Sequence, residues 1–188
     1  GVVFGFLALI ATVNGNIVEA FLWLALALFV DGIDGTLARA VNVQKNTPEI
    51  DGAILDNIID YLNYVVIPVF IFYTLRMVPD QYLILSSALI LLVSCFTFTN
   101  SNIKTDDYYF SGFPAIWNIV ILYFYLLGSS QWNNLFFVIL FCVLTFIPFK
   151  YVHPFRVVQF RKITLTIISI WMITTTVLLF DISFNNAL

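Results

Sequence analysis

Apolar residues fill long stretches of this chain, and short polar segments separate them. A helix needs roughly 20 apolar residues to cross the hydrocarbon core of a bilayer, which is about 30 Å thick. The pattern predicts membrane-spanning helices over 17–38, 53–75, 82–99, 114–128, 133–149 and 163–180. A further apolar run, Gly1–Val13, is too short to span alone and is typical of the second half of a spanning helix.

The predicted fold class is therefore all-α, a polytopic membrane helix bundle with six full spans and a truncated first span. We expect residues 1–188 to form a single integral membrane domain. The chain does not begin with Met, and its ending at Asp181–Leu188 has the composition of a loop. These features indicate a chain trimmed at both ends, with one more span expected after the C-terminus.

Composition excludes several classes of protein. Of the 188 residues, 61% are hydrophobic and 10% are charged, whereas soluble domains carry about 25% charged residues. The formal net charge of -3 leaves no basic face, so nucleic acid is not expected as a partner. Cys95 and Cys142 both lie inside apolar runs, which is not the pattern of a disulfide-stabilised secreted domain.

The distribution of basic residues predicts how the spans are oriented. If the spans alternate, the connections 39–52, 100–113 and 150–162 lie on one side of the membrane. They contain seven basic residues: Arg39, Lys45, Lys104, Lys150, Arg156, Arg161 and Lys162. The other side has only Arg76. Because basic residues are enriched in cytoplasmic loops, we expect the first set to face the cytoplasm.

Four aspartates lie at helical spacing near this cytoplasmic side. Asp31 and Asp34 are three residues apart at the end of the predicted 17–38 span. Asp56 and Asp60 are four residues apart at the start of the next span, so each pair shares a helix face. A loop of about a dozen residues lets the two helices run antiparallel, which would bring the four carboxylates into one cavity. We expect nearby Asp51 to serve only as a helix cap.

Such a cluster favours a hard divalent cation. Four carboxylates in a cleft of low dielectric constant repel one another unless they bind protons or cations. Oxygen ligands without Cys or His suit Mg²⁺ or Mn²⁺ rather than zinc. Metal ions of this kind neutralise charge at phosphorus, which indicates a phosphate-bearing substrate. Arg39 adds a guanidinium group that can bind a phosphate oxygen, and Gly35 and Gly52 allow a ligand to approach the backbone.

These residues resemble the signature of the CDP-alcohol phosphotransferases, D-x2-D-G-x2-A-R-x8-G-x3-D-x3-D. Every fixed position of the signature is present: Asp31, Asp34, Gly35, Ala38, Arg39, Gly52, Asp56 and Asp60. The one departure is the gap between Arg39 and Gly52, which has twelve residues rather than eight. With the segments "DGIDGTLAR", "FPAIWN" and "KYVHPFR", the chain is most similar to the bacterial phosphatidylcholine synthase branch of that family.

The resemblance implies a homodimeric helix bundle in the bacterial inner membrane, with a cavity facing the cytoplasm that holds two metal ions, Mg²⁺ or Mn²⁺. It implies that Asp31, Asp34 and Asp56 ligate metal. Asp60 would be the catalytic base and would also lie near a metal. Asp31, Gly35, Ala38, Arg39 and Gly52 would contact the nucleotide and its phosphates. In this branch a phosphatidyl group passes from CDP-diacylglycerol to choline, and the products are phosphatidylcholine and CMP.

Two weaker patterns bear on the substrates. Aromatic faces bind quaternary ammonium groups, and Tyr64 and Trp117 are placed by sequence near the cytoplasmic side, so either could line a choline box. Ordinary aromatic packing is the alternative. The basic loop that contains Arg156 and Arg161 could hold the lipid phosphates, or it could only fix topology beside the membrane lipids.

Other functions compete with this interpretation. Relatives within the family make phosphatidylserine, phosphatidylglycerophosphate or phosphatidylinositol phosphate, or use CDP-choline and diacylglycerol. Only one arginine lies in the signature, which favours a cationic or neutral acceptor over an anionic one. An ion-coupled transporter would place its carboxylates near the middle of the membrane on paired halves, whereas these four lie together at one interface.

The orientation can be tested with single cysteines in a background that lacks Cys95 and Cys142. We expect Lys45→Cys and Lys104→Cys to react with a membrane-impermeant thiol reagent only after the inner face of the membrane is opened. A cysteine in place of Arg76 is the matched control and should react in intact cells. Labelling of intact cells at position 45 or 104 would contradict the predicted topology.

Overall fold

The computed structural model describes residues 1–100, 109–152 and 161–185. Its helices are α1 (Val2–Val13), α2 (Ile17–Ala40), α3 (Val43–Asn46), α4 (Gly52–Tyr61), α5 (Ile67–Thr74), α6 (Asp80–Thr99), α7 (Trp117–Leu127), α8 (Gln131–Leu144) and α9 (Arg161–Asn185). A π-helical turn at Leu62–Val66 joins α4 to α5. Strands β1 (Tyr109–Ser111) and β2 (Lys150–Val152) complete the fold.

The all-α membrane bundle predicted from the sequence is confirmed. Among the described residues, three helical stretches are long and apolar enough to cross a membrane: Gly52–Thr74, Asp80–Thr99 and Lys162–Ile182. Helix α2 has 24 residues and is about 36 Å long. We call the end of the bundle where α2 ends and α4 begins the aspartate end, and the other end the opposite end.

Helices α7 and α8 are shorter than the predicted spans 114–128 and 133–149. They have 11 and 14 residues, which correspond to about 17 Å and 21 Å. Proline explains both limits, because Pro114 precedes α7 and Pro148 follows α8. The residues between Leu144 and Phe149 instead form turns that pair with the segment before α7.

Next to these turns, β1 and β2 form a short antiparallel ribbon at the aspartate end. The sequence pattern did not predict this ribbon. Ser111 of β1 lies opposite Lys150 of β2. Beside the ribbon, the Gly112 N–H donates to the Phe149 carbonyl at 2.9 Å. Gly112 has φ +87°, and a Cβ there would lie 2.2 Å from the Thr145 carbonyl oxygen, so both conformation and space require glycine.

The core of the bundle contains a large aromatic cluster centred on Trp117. Its side chain is 1% exposed and packs edge-on against Phe113 and Phe141, whose rings stack on each other with centroids 4.6 Å apart. The indole N–H donates to the Ser94 hydroxyl at 2.9 Å, which satisfies its buried polar group. This cluster ties α6, α7 and α8 together.

Amide side chains of α8 fasten the turn between α5 and α6 at the opposite end. Asn134 is buried, and its amide donates to the Met77 carbonyl at 2.8 Å. The Gln131 amide donates to the neighbouring Arg76 carbonyl at 2.9 Å. These bonds satisfy carbonyls of the turn, which lie outside both helices and so have no partner in a helical ladder.

Helix α1 crosses the long α4–α5 helix at a point where only glycine fits. A Cβ on Gly5 would lie 2.1 Å from Asn63 Oδ1 and 2.9 Å from Ile67 Cδ1. Asn63 is 3% exposed, and both contacts are therefore made inside the bundle. The missing side chain lets α1 lie directly against the π-helical turn.

This contact predicts a specific loss of stability. We expect Gly5→Ala to lower the free energy of unfolding by about 1–3 kcal/mol, because the added methyl group overpacks a buried contact. Gly52→Ala is the matched control, since a Cβ at Gly52 has nothing within 4 Å and should leave stability unchanged. Thermal unfolding in detergent would measure both, and equal melting temperatures for the two variants would contradict the close packing.

Candidate metal and phosphotransfer site

Three of the four predicted aspartates converge in the structure. Carboxylate oxygens of Asp31, Asp56 and Asp60 all lie within 4.8 Å of one another. Asp31 comes from α2, whereas Asp56 and Asp60 come from successive turns of α4. All three side chains are partly buried. The antiparallel helix pair expected from the sequence therefore does bring carboxylates from both helices to one point.

The start of α4 fixes where Asp56 and Asp60 lie. The Asp51 carboxylate accepts hydrogen bonds from the N–H groups of Ala53 and Ile54, at 2.9 and 3.1 Å. Asp51 is thus the N-cap that the sequence analysis expected, and it contributes typically about 1 kcal/mol to the helix. Helix α4 begins at Gly52, directly after this cap, and Asp56 and Asp60 follow on one face of it.

Tyr64 contributes a polar group to the same cluster. Its hydroxyl donates a hydrogen bond to Asp31 Oδ2 at 2.5 Å. This bond connects the π-helical turn, which contains Tyr64, to α2, which contains Asp31. The distance is typical of a hydrogen bond to a carboxylate. The tyrosine that the sequence analysis considered for a choline box is therefore in direct contact with the first aspartate of the signature.

The remaining signature residues lie around this cluster. Asp34 is exposed, one turn further along α2, and is not part of the group of three carboxylates. Gly35 is half-buried, whereas Ala38 and Gly52 are exposed, as a surface open to a ligand requires. The side chains of Arg39 and Arg161, and the whole of Arg156, lie outside the described residues.

Trp117 lies in the aromatic core, not on an open surface. Because Phe113 and Phe141 pack against its ring and Ser94 accepts from its indole, an ammonium group would have to displace core side chains to reach it. The ring of Tyr64 is instead half-buried beside Asp31. A sequence alone cannot distinguish the two, because both are aromatic residues at the same predicted level.

The three carboxylates fit a hard divalent cation. Oxygens from Asp31, Asp56 and Asp60 are close enough together to ligate one ion, and oxygen-only ligand sets suit Mg²⁺ or Mn²⁺. Two unit negative charges at such a separation repel by about 3 kcal/mol at an effective dielectric constant near 20. A bound cation would offset that repulsion.

The π-helical turn at Leu62–Val66 and the burial of Asn63 were not predicted from the sequence. The N–H of Ile67 donates to the Leu62 carbonyl, five residues back. Pro68 was the available signal, because proline has no N–H for the i−4 carbonyl and disturbs the ladder one turn before it. Asn63 Oδ1 is buried and, among the described residues, has no hydrogen-bond partner.

Comparisons with known proteins agree with this geometry. The family model for CDP-alcohol phosphatidyltransferases matches residues 1–149. The chain is 44% identical over 179 residues to phosphatidylcholine synthase of Pseudomonas aeruginosa, covering 95% of this chain and 75% of that protein. It is 38% identical over 166 residues to phosphatidylcholine synthase of Rhizobium johnstonii, covering 88% and 69%.

A third relative, phosphatidylcholine synthase of Borreliella burgdorferi, is 38% identical over 167 residues, which is 89% of this chain and 71% of that protein. The family match includes every residue of the aspartate signature and the helices that carry it. The chain belongs to the CDP-alcohol phosphatidyltransferase family.

Proposed function

We propose that this protein is a phosphatidylcholine synthase, which transfers the phosphatidyl group of CDP-diacylglycerol to choline and releases CMP. The convergence of Asp31, Asp56 and Asp60 is the observation that carries the proposal. The similarity to three phosphatidylcholine synthases over most of the chain supports choline as the acceptor. Family membership also argues against an ion-coupled transporter.

In this reaction the choline hydroxyl oxygen attacks the phosphorus that carries the diacylglycerol. The bond from that phosphorus to the CMP oxygen breaks, and CMP leaves with the electron pair. A divalent ion held by Asp31 and Asp56, with Asp34 as a further ligand from α2, would neutralise charge on the pyrophosphate. We assign Asp60 as the base that takes the hydroxyl proton, since it lies one turn deeper along α4 than Asp56.

Tyr64 supports a site for the choline head group. Its ring is half-buried next to the carboxylates, where a quaternary ammonium group would gain both the aromatic face and the negative charge. The nucleotide would then lie over the half-buried Gly35 and the exposed Ala38 and Gly52 of the signature, with Arg39 near its phosphates. Arg156 and Arg161 stay candidates for the lipid phosphates.

A small cleft between α2, α7 and α9 is lined mainly by apolar side chains, as contact with the acyl part of the lipid donor would require. Leu24 and Leu28 line it from α2, and Leu28 is three residues, or about one helical turn, from Asp31. Leu122 and Leu179 line it from α7 and α9. A lipid with its pyrophosphate at Asp31 would have apolar surface available on the side away from the aspartate end.

The orientation and assembly belong to the same proposal. The seven-to-one excess of basic residues supports an aspartate end that faces the cytoplasm, where choline and CMP are dissolved. We propose the bacterial inner membrane as the location. The family resemblance supports a homodimer and two metal ions.

The function is tested by an assay of purified protein. With CDP-diacylglycerol, Mn²⁺ or Mg²⁺ and choline, we expect CMP and phosphatidylcholine to form in equal amounts, and a chelator should stop the reaction. Serine, glycerol 3-phosphate and inositol phosphate serve as comparison acceptors. If one of these supports turnover and choline does not, the choline assignment is wrong, although the family is not.

The site is tested by replacing each carboxylate with the isosteric amide. Asp31→Asn and Asp56→Asn remove a charged ligand, so we expect activity to fall by two or more orders of magnitude, with partial recovery at high Mn²⁺ concentration. Asp60→Asn should also abolish CMP release, because a positioned base contributes typically 10²–10⁴-fold, but excess metal should not restore it.

Asp80→Asn is the matched control for these variants. Asp80 lies at the opposite end and pairs with Arg76 at 3.0 Å on the surface, so its replacement should leave turnover unchanged. Near wild-type turnover of any two of the three site variants would contradict the assignment.

A further inference from the structure

The hydroxyl of Tyr64 contacts one of the three clustered carboxylates. It donates to Asp31 Oδ2 at 2.5 Å, and the two residues are 33 positions apart in the chain. Asp31 is the one member of the three-carboxylate group that comes from α2. The bond therefore joins the two helices that together form the site.

The π-helical turn determines which way Tyr64 faces. In a regular α-helix, position 64 would lie about 40° beyond position 60 around the axis. The turn at Leu62–Val66 is wider, with the Ile67 N–H bonded five residues back, so each residue in it advances less around the axis. Tyr64 consequently stays above Asp60, on the face that meets α2.

We propose that the Tyr64 hydroxyl is a positioning group that fixes the Asp31 carboxylate for metal binding. With Oδ2 held by the phenol, the Asp31 carboxylate keeps a fixed orientation in the group that it forms with Asp56 and Asp60. Groups that hydrogen-bond a metal ligand typically change metal affinity 10- to 100-fold. This inference rests on the metal site of the proposed function and adds a residue outside the family signature.

The hydroxyl and the ring of Tyr64 would have different roles, and one substitution can distinguish them. A choline contact would use the aromatic face, which Tyr64→Phe retains, whereas the positioning role uses the O–H group, which that variant lacks. Tyr61 supplies a matched control three residues earlier. Its hydroxyl donates to the Leu91 carbonyl of α6 at 3.0 Å, so Tyr61→Phe removes a comparable bond that does not involve the cluster.

The experiment measures Mn²⁺ binding to the purified chain without either substrate, by electron paramagnetic resonance of free and bound ion. We expect Tyr64→Phe to weaken Mn²⁺ affinity about 10- to 100-fold, and Tyr61→Phe to stay within about twofold of the parent. In an Asp31→Asn background, Tyr64→Phe should cause no further weakening, because the hydroxyl acts through Asp31. Affinity of Tyr64→Phe within twofold of the parent would overturn the inference.

The outcomes distinguish this inference from the proposed function. A parent protein that binds Mn²⁺ tightly, with a weakened Tyr64→Phe variant, supports the positioning role even if choline is not the acceptor. If the parent makes phosphatidylcholine but Tyr64→Phe binds Mn²⁺ as tightly as the parent does, the proposed function stands and the inference is wrong. A parent that binds no Mn²⁺ overturns the inference.

Folding is monitored by thermal unfolding of each metal-free variant. If Tyr64→Phe does not fold, recovery of folding in the double variant Asp31→Asn/Tyr64→Phe supports the bond, because removing both partners leaves no carboxylate without its donor. If both variants fail to fold while Tyr61→Phe folds normally, Tyr64 has a packing role and the inference is wrong.

Discussion

Electrostatic repulsion among three carboxylates is the constraint on which the arrangement of this bundle depends. Asp31, Asp56 and Asp60 hold their oxygens within 4.8 Å of one another in a partly buried site. Several other features keep these like charges together. Asp51 caps the helix that carries two of them, the Tyr64 hydroxyl bonds the third, and glycine at position 5 lets α1 pack behind the π-helical turn. A cation bound between the three carboxylates would offset this repulsion.

Much of the fold and the grouping of the carboxylates could be predicted from the sequence, because both depend on regular periodicity. Apolar stretches of sufficient length define α2, α6 and α9, and the i,i+4 spacing of Asp56 and Asp60 places both on one face. The short connection between α2 and α4 makes the helices antiparallel, which brings Asp31 to them. The cap at Asp51 follows equally from its position just before the helix.

Features that depend on tertiary packing could not be predicted in the same way. Trp117 is aromatic, like Tyr64, and only the surrounding rings decide that it belongs to the core. The π-helical turn at Leu62–Val66 is an exception to helical periodicity, and no spacing rule shows where an extra residue will be inserted. Helices α7 and α8 are shorter than their apolar stretches because proline and the β1–β2 ribbon end them, and the ribbon itself depends on segments far apart in the chain.

The two amide bonds at the opposite end of the bundle join parts of the chain that are at least 55 residues apart in sequence. Asn134 and Gln131 hold the α5–α6 turn against α8, whereas the aspartates of α2 and α4 lie at the other end of the bundle. Helix α6 is about 30 Å long and is held at both ends, because Ser94 near its other end accepts from the Trp117 indole. Because the Tyr61 hydroxyl also joins α4 to α6, the helix that carries two of the carboxylates is braced against a helix held at both ends.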